Sequence, residues 1–153
     1  MLEYKIEELK LENLEEALKV IEVTFMKFEA PDYTKEGIDS FFKFADYDAI
    51  KGSLSKNMKI YVAKVNDKIV GVIGYRDNSH INLLFVLEKY QHNGIAKALF
   101  NLVLQNCKDA NIKRITVNSS PYAHNVYLKF GFIDDGPMQE IDGIKFYPMY
   151  KEI

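Results

Sequence analysis

The sequence contains a single cysteine, Cys107, and only three histidines, which are scattered along the chain. One thiol excludes an internal disulfide, and so sparing a use of cysteine is typical of proteins in a reducing compartment. Cysteine and histidine ligands for metal ions come in clusters with short spacings, and the sequence contains no such cluster. We therefore expect a cytoplasmic protein without a metal site.

The chain also lacks an excess of charge of either sign and a long apolar run. Its 20 basic and 22 acidic residues give a formal net charge of −2 at pH 7. Nucleic-acid-binding proteins usually present a basic stripe, so this composition argues against nucleic acid as a partner. No apolar run approaches the roughly 20 residues that span a bilayer, and residues 1–5 contain no apolar signal core. We therefore expect no membrane partner either.

What the chain does have is a hydrophobic content of 48% over 153 residues, without a repeat or a low-complexity segment. This length is sufficient for one domain with a substantial core, and no shift in composition marks an internal boundary. We expect residues 1–153 to form a single domain.

Hydrophobic periodicity predicts a mixed order of strands and helices. Helices are predicted at 14–28, 34–45, 94–107 and around Tyr127. Strands are predicted at 2–6, 59–65, 69–76, 81–86, 114–118, 132–141 and 144–150. Residues 46–56 are polar and give no clear pattern.

Local signals add detail to this order. Asn13 and Glu16 resemble a capping box, and Thr34 is suited to cap the second helix. The three strands between 59 and 86 are predicted to form an antiparallel meander, and Asp142-Gly143 is predicted to close the last hairpin. A helix joins the strands at 81–86 and 114–118, which implies that these two strands are parallel.

The stretch that carries most information about function is 80–100. An apolar run at 81–87 reads as a buried strand, and a short polar turn leads into a helix that begins near Gly94. The first N–H groups of a helix have no partner within it, and the helix dipole adds positive charge there, so this junction is suited to bind an anion. Gly94 and Ala96 would let a phosphate approach the backbone closely. Neither G-x-G-x-x-G nor G-x-x-x-x-G-K-[ST] is present, which excludes the two best-known phosphate loops.

Two motifs together suggest a family. Residues 91–96 read Q-x-x-G-x-A after a strand, and residues 127–132 read Y-x-K-x-G-F, with Ala123 four residues before the tyrosine. In this order and at this separation they resemble the acetyl-CoA loop and the closing helix of the GCN5-related N-acetyltransferases (GNAT). The resemblance implies an α/β fold of the α+β mixed-sheet type, with a mostly antiparallel sheet of about seven strands flanked by about four helices. It also implies acetyl-CoA as co-substrate.

The resemblance further implies which residues bind the cofactor. Backbone N–H groups of the loop and first helical turn would bind the pyrophosphate, with the Gln91 side chain as a further donor: Gln91, His92, Asn93, Gly94, Ile95, Ala96 and Lys97. Free backbone groups of Leu84, Phe85 and Val86 would pair with the pantetheine arm, because the family's strand departs from its neighbour at this point. Ser120 stands where the family often has an asparagine that contacts the pantetheine, and Asn125 is an alternative for that contact.

Two residues are implied as catalytic. The Val86 N–H would face the thioester carbonyl, and Tyr127 would protonate the leaving thiolate. The base that deprotonates the amine stays unassigned. His80, Glu29 and Asp32 are near the expected region, and each is equally well read as a turn or surface residue.

The acceptor stays open as well. Aromatic and acidic residues at 28–33, followed by Phe41, Phe42 and Phe44, suit a cationic amine by charge and cation–π contact, although Phe41 and Phe42 are also typical of a core face. A small-molecule amine, a polyamine, an aminoglycoside or a protein N-terminus would fit. The protein itself is expected to be a monomer or a homodimer. One rival hypothesis is an acyl-CoA-binding module without catalysis, and another is an interaction protein without a ligand.

Overall fold

The computed structural model describes residues 2–153. Within that range the strands are β1 (Lys5–Glu8), β2 (Met58–Val65), β3 (Lys68–Arg76), β4 (His80–Val86), β5 (Arg114–Ser119), β6 (Ile133–Asp134), β7 (Gln139–Ile141) and β8 (Ile144–Glu152). The α-helices are α1 (Leu14–Phe28), α2 (Lys35–Phe44), α3 (Tyr47–Leu54), α4 (Ile95–Asp109) and α5 (His124–Lys129). Short 3₁₀ turns lie at Leu11–Asn13, Ala30–Asp32 and Glu88–Tyr90.

The strands form a mixed sheet in the order β1-β2-β3-β4-β5-β8-β6, with β7 paired to β8. Every pairing is antiparallel except that of β4 with β5. One apolar cluster packs α4 and α5 against one face, and another packs α1, α2 and α3 against the other. The predicted fold class, the antiparallel meander and the parallel pair are therefore confirmed, with one strand and one α-helix more than expected.

Several local predictions are wrong. The Asn13 side chain makes no capping hydrogen bond, and the Glu16 carboxylate accepts from the backbone N–H of Ile69 at 2.9 Å instead of from the start of its own helix. The predicted strand at 132–141 is divided into β6 and β7, with Gly136 between them at a φ of 107°. The first strand begins at Lys5 rather than at residue 2. Residues 46–56, for which no structure was predicted, contain α3, and Asp46 caps this helix by accepting from two backbone N–H groups. The Thr34 cap and the turn at Asp142-Gly143 are confirmed.

A bulge in β4 matters most for the site. Gly74 pairs with Leu83 and Tyr75 pairs with Ile81, so Asn82 is an extra residue in the strand. In a regular strand, residues two apart face the same side of the sheet. The bulge changes this for Ile81 and Leu83, which pack into the two apolar clusters on opposite faces. β5 pairs with β4 only at His80 and Ile81. Beyond the bulge the two strands separate, and the edge of β4 that faces β5 is unpaired.

The first turn of α2 packs directly on the β7–β8 turn. The Thr34 N–H donates to the Gly143 carbonyl, and the Gly37 N–H donates to the Thr34 hydroxyl at 3.1 Å. A Cβ atom at Gly37 would lie 2.2 Å from the Gly143 carbonyl oxygen, a distance that only a backbone shift relieves. This contact fixes α2 beside the C-terminal hairpin.

We expect Gly37→Ala to lower the free energy of unfolding by about 1–3 kcal/mol, the usual cost of overpacking. Gly52→Ala is the matched control, because a Cβ in the middle of α3 would meet nothing within 4 Å. It should raise stability by roughly 0.5–1 kcal/mol through helix propensity. Urea unfolding of both variants measures this, and equal effects would show that the close approach to Gly143 is not tight.

Candidate active site

The unpaired edge of β4 presents backbone groups to the space between β4 and β5. The Leu87 N–H donates to the Val70 carbonyl of β3 at 2.9 Å. Because hydrogen-bonding direction alternates along an antiparallel pair, the N–H and C=O groups of Val86 and Leu84 point to the opposite edge. Those of Phe85 point to β3, where Phe85 is opposite Val72, so the Phe85 backbone is not free for the pantetheine arm as expected. The Val86 carbonyl there accepts from Gln91 Nε2 at 2.9 Å. The departure from β5 expected before the loop is thus present, and one donor of the Gln91 side chain is directed at the strand.

The loop between β4 and α4 is fixed by its own side chains and by two left-handed residues. Asn93 donates to the carbonyls of Tyr90 and Gln91 at 3.2 and 3.0 Å. His92 has a φ of 65° and Gly94 a φ of 80°, and Gly94 is the N-cap residue of α4 without a side-chain cap. Glycine adopts that conformation without strain.

The start of α4 leaves several donors free. The Ala98 N–H makes the first bond of the helix, to the Gly94 carbonyl at 3.0 Å. Among the described residues, the N–H groups of Ile95, Ala96 and Lys97 have no backbone partner. A Cβ at Gly94 would project into open space. Free donors at the positive end of a 15-residue helix make an anion site accessible from solvent.

A mainly apolar cavity of about 290 Å³, here called the groove, runs beside this loop. The last turn of α1 and the start of α5 form its other walls, where Phe28 and Tyr122 stack with ring centroids 4.8 Å apart. The structure brings these predicted cofactor residues together along it: Leu84, Phe85, Val86, Gln91, His92, Gly94, Ile95, Ala96 and Lys97.

A second cavity of about 160 Å³, here called the inner cavity, lies between the separated strands β4 and β5. Tyr127, Ser120 and Asn82 line it, together with aromatic residues of α2. Four residues line both cavities: Glu29, Leu84, Phe85 and Ala123. The end of β4 thus separates an anion-binding groove from a smaller chamber, and Glu29 lies at their junction.

Glu29 follows the last residue of α1, and its N–H donates to the Phe25 carbonyl at 2.9 Å. Its side chain is buried, with 9% of the residue exposed. Burial raises the pKa of this carboxyl to about 7, the Ser120 hydroxyl partly offsets the rise, and the charge of Asp32 adds to it. Glu29 is therefore half ionised near neutral pH.

Tyr127 is also buried, with 4% exposed, and its ring packs edge-on against Phe132 and Phe130. Burial, and secondarily the charge of Glu29, raises the pKa of its hydroxyl far above the ordinary value. The hydroxyl therefore keeps its proton at neutral pH and can act as a hydrogen-bond donor at the inner cavity.

Other candidates lie elsewhere. Asn125 is exposed and borders neither cavity, so the structure does not bring it to the other predicted cofactor residues. Asn93 serves to hold the loop rather than to line the groove. The His80 ring lies 2.8 Å from the Thr116 hydroxyl, and burial lowers its pKa to about 4. Asp32 is exposed and borders neither cavity.

Ser120 is buried and lines the inner cavity, where its hydroxyl accepts from the Ala123 N–H at 3.2 Å. Cys107 is buried in α4 and donates to the Asn78 carbonyl at 3.0 Å, as expected for a packing residue.

Among residues 2–153, no group of three or more His, Cys, Asp or Glu side chains is arranged to hold a metal ion. None of the helices in that range is both long and apolar enough to cross a membrane.

Two features of the site escaped the sequence analysis. The burial of Glu29 depends on how α1, β4 and α5 meet, which no local pattern encodes. Asn82 had a weak signal, as the one polar residue within an apolar run, and both polar atoms of its amide are buried without a hydrogen-bond partner among the described residues. An unpartnered buried amide costs stability.

Comparison with known proteins gives one family. Residues 29–153 match the family model described as the acetyltransferase (GNAT) domain. No curated protein sequence matches the chain. Among solved structures, PaiA N-acetyltransferase from Thermoplasma acidophilum, in complex with coenzyme A, is similar with a TM-score of 0.82 at 20% identity, over 99% of this chain and 100% of that one.

Two further structures agree in fold. A GCN5-related N-acetyltransferase from Rhodopseudomonas palustris superposes with a TM-score of 0.85 at 18% identity, over 97% of this chain and 95% of that one. A GNAT acetyltransferase from Staphylococcus aureus Mu50 gives 0.78 at 24% identity, over 98% and 99%. At these identities the likeness shows the fold.

Proposed function

We propose, because the chain belongs to the GNAT acetyltransferase family, that it transfers the acetyl group of acetyl-CoA to a primary amine by direct attack within a ternary complex. The observation that carries the proposal is the opening between β4 and β5, where a groove with free helix-start donors meets an inner cavity that holds Tyr127 and Glu29. We take residues 1–153 as one such domain.

The donors present fit acetyl-CoA. The free N–H groups of Ile95, Ala96 and Lys97, with the adjoining loop backbone from Gln91 to Gly94, would bind the pyrophosphate. The backbone groups of Leu84, which have no strand partner, would pair with the amides of the pantetheine arm, while the Val86 carbonyl already accepts from Gln91 Nε2. Relatives crystallised with coenzyme A include the protein from Thermoplasma acidophilum and an aminoglycoside 6'-N-acetyltransferase, which supports this reading.

The reacting groups then follow from the geometry. The Val86 N–H, directed to the unpaired edge, would stabilise negative charge that develops on the acyl oxygen, a contribution of about 2.7–4 kcal/mol for a single well-placed donor. Tyr127 would donate to the departing sulfur. Since a coenzyme A thiol resembles a free cysteine (pKa roughly 8.5) and the pKa of Tyr127 is raised far higher, its main effect is a hydrogen bond to the thiolate.

The test is turnover. Purified protein and acetyl-CoA are incubated with a linear diamine, a polyamine, an aminoglycoside and a peptide with a free N-terminus, and released thiol is measured alongside the acetylated product by mass spectrometry. Amine-dependent thiol release supports the proposal. Tight acetyl-CoA binding without turnover on any amine would instead identify an acyl-CoA-binding module.

A further inference from the structure

One acidic side chain, Glu29, lines both the groove and the inner cavity, and no other aspartate or glutamate of residues 2–153 lines either. We propose that the Glu29 carboxylate is the general base that removes a proton from the acceptor ammonium, and that the inner cavity receives the amine end of the acceptor. This inference rests on the proposed acetyl transfer and assigns the step that the sequence left open.

The position of Glu29 is fixed by backbone hydrogen bonds on both sides. Its N–H donates to the Phe25 carbonyl at 2.9 Å, and its carbonyl accepts from the Asp32 N–H at 3.0 Å. It shares both cavity walls with Leu84 and Phe85, on the strand whose free edge would hold the thioester. A nitrogen that approaches an acyl carbon at that edge from the inner cavity passes the carboxylate, so base and nucleophile are held together.

The charges around the inner cavity favour a cationic acceptor. The groups that face the carboxyl are Asp32 and Tyr33 after α1, and Ser120 and Tyr127 before and within α5. No lysine or arginine of the described residues lines the inner cavity, and Lys97 and His92 border the groove on its loop side. A buried carboxylate without a protein cation is stabilised when an ammonium enters.

The proton balance is complete. Glu29 takes one proton from R–NH₃⁺, and the free amine attacks the acyl carbon. The new C–N bond forms, the C–S bond breaks, and the sulfur leaves as a thiolate hydrogen-bonded to Tyr127. The second nitrogen proton is transferred to the sulfur, and Glu29 releases its proton to water. A carboxyl with a pKa of about 7 is ionised often enough to accept the proton and is far more basic than an exposed glutamate.

The proposal is tested by the pH dependence of kcat/KM for the most active amine of the screen, in the wild-type protein and in Glu29→Gln. For the wild type we expect activity to rise through a limb near pH 7, because Glu29 must be ionised. In Glu29→Gln we expect kcat to fall at neutral pH by about 100-fold or more. The limb near pH 7 should disappear, and activity should instead follow the free amine as pH rises toward its own pKa (roughly 10.4).

Asp32→Asn is the matched control, since it removes a neighbouring carboxylate that borders neither cavity, and it should keep the profile with the limb moved slightly to lower pH. Acetyl-CoA titration of Glu29→Gln should match the wild type, which shows that the variant is folded. An active wild type whose Glu29→Gln variant keeps kcat within about threefold, or keeps the limb, would overturn the assignment of Glu29 alone. A wild type inactive on every amine would overturn the acetyl transfer itself.

Discussion

Replacing Tyr127 with phenylalanine should lower kcat by about 100-fold, the lower end of the range for a positioned acid or donor, with little change in the affinity for acetyl-CoA. The substitution removes only the hydroxyl oxygen and leaves the ring packed against Phe130 and Phe132. The departing thiolate would then lose the hydroxyl donor that stabilises its charge, and charge without such a partner is costly away from water. Steady-state kinetics with a thiol readout measures the effect.

Tyr122→Phe is the control for that experiment. Tyr122 lines the groove, is 44% exposed, and its hydroxyl makes only a long contact of 3.5 Å with Gln91 Oε1. Its hydroxyl is outside the inner cavity, so kcat should stay within about threefold of the wild type. If Tyr127→Phe behaves like Tyr122→Phe, the tyrosine is a packing residue and another group assists the thiolate.

Glu29→Gln should raise the free energy of unfolding at pH 8 by up to about 3 kcal/mol, since one pKa unit corresponds to about 1.36 kcal/mol. The folded protein holds the Glu29 proton more tightly than the unfolded chain, because burial raises the pKa from 4.5 to about 7. Stability is therefore lost as pH rises from about 4.5 to about 7, and the full penalty is present above that range. Glutamine carries no charge and avoids the penalty.

Denaturant unfolding at pH 4 and pH 8 checks the sign. At pH 4 the carboxyl is mostly protonated in both states, so Glu29→Gln and the wild type should have nearly equal stability. The difference should appear only at pH 8, and exposed Asp32 replaced by asparagine should show no comparable gain. A variant that is less stable at pH 8 would mean that the carboxylate is well compensated in the folded state and that its pKa is not raised. A gain in stability with a loss of activity is the signature of a functional group held at a cost to folding.

The parts of this structure that the sequence predicted are local. The cap at Thr34, the Asp142-Gly143 turn and the glycine that begins α4 each depend on a few neighbouring residues with restricted backbone preferences. The antiparallel meander follows from strand alternation and short turns. The helix start at Gly94 was therefore predictable from the local sequence alone, and with it the position of the loop that borders the groove.

The remainder depends on contacts between distant segments. The Glu16 carboxylate accepts a hydrogen bond from the Ile69 N–H rather than from the start of its own helix. Asn82 is an extra residue in β4 because of the register between β4 and β3. The identity of Glu29 gave no sign that α1, β4 and α5 would bury it. Asn125 was expected near the cofactor, but it lies on the exposed side of α5. A helix of six residues is too short for its sequence pattern to show which face is buried.

Isothermal titration with acetyl-CoA and with free coenzyme A tests the central claim most directly, on the wild type, Gly94→Glu and Gly136→Glu. Both glycines have positive φ and open space at the Cβ position, so the two variants carry similar backbone strain, but only Gly94 lies at the α4 start. We expect micromolar binding by the wild type and Gly136→Glu. In Gly94→Glu, a carboxylate at the anion site should weaken binding by about 100-fold or more. Absence of binding by the wild type, or equal binding by all three proteins, would contradict the placement of the cofactor on this loop.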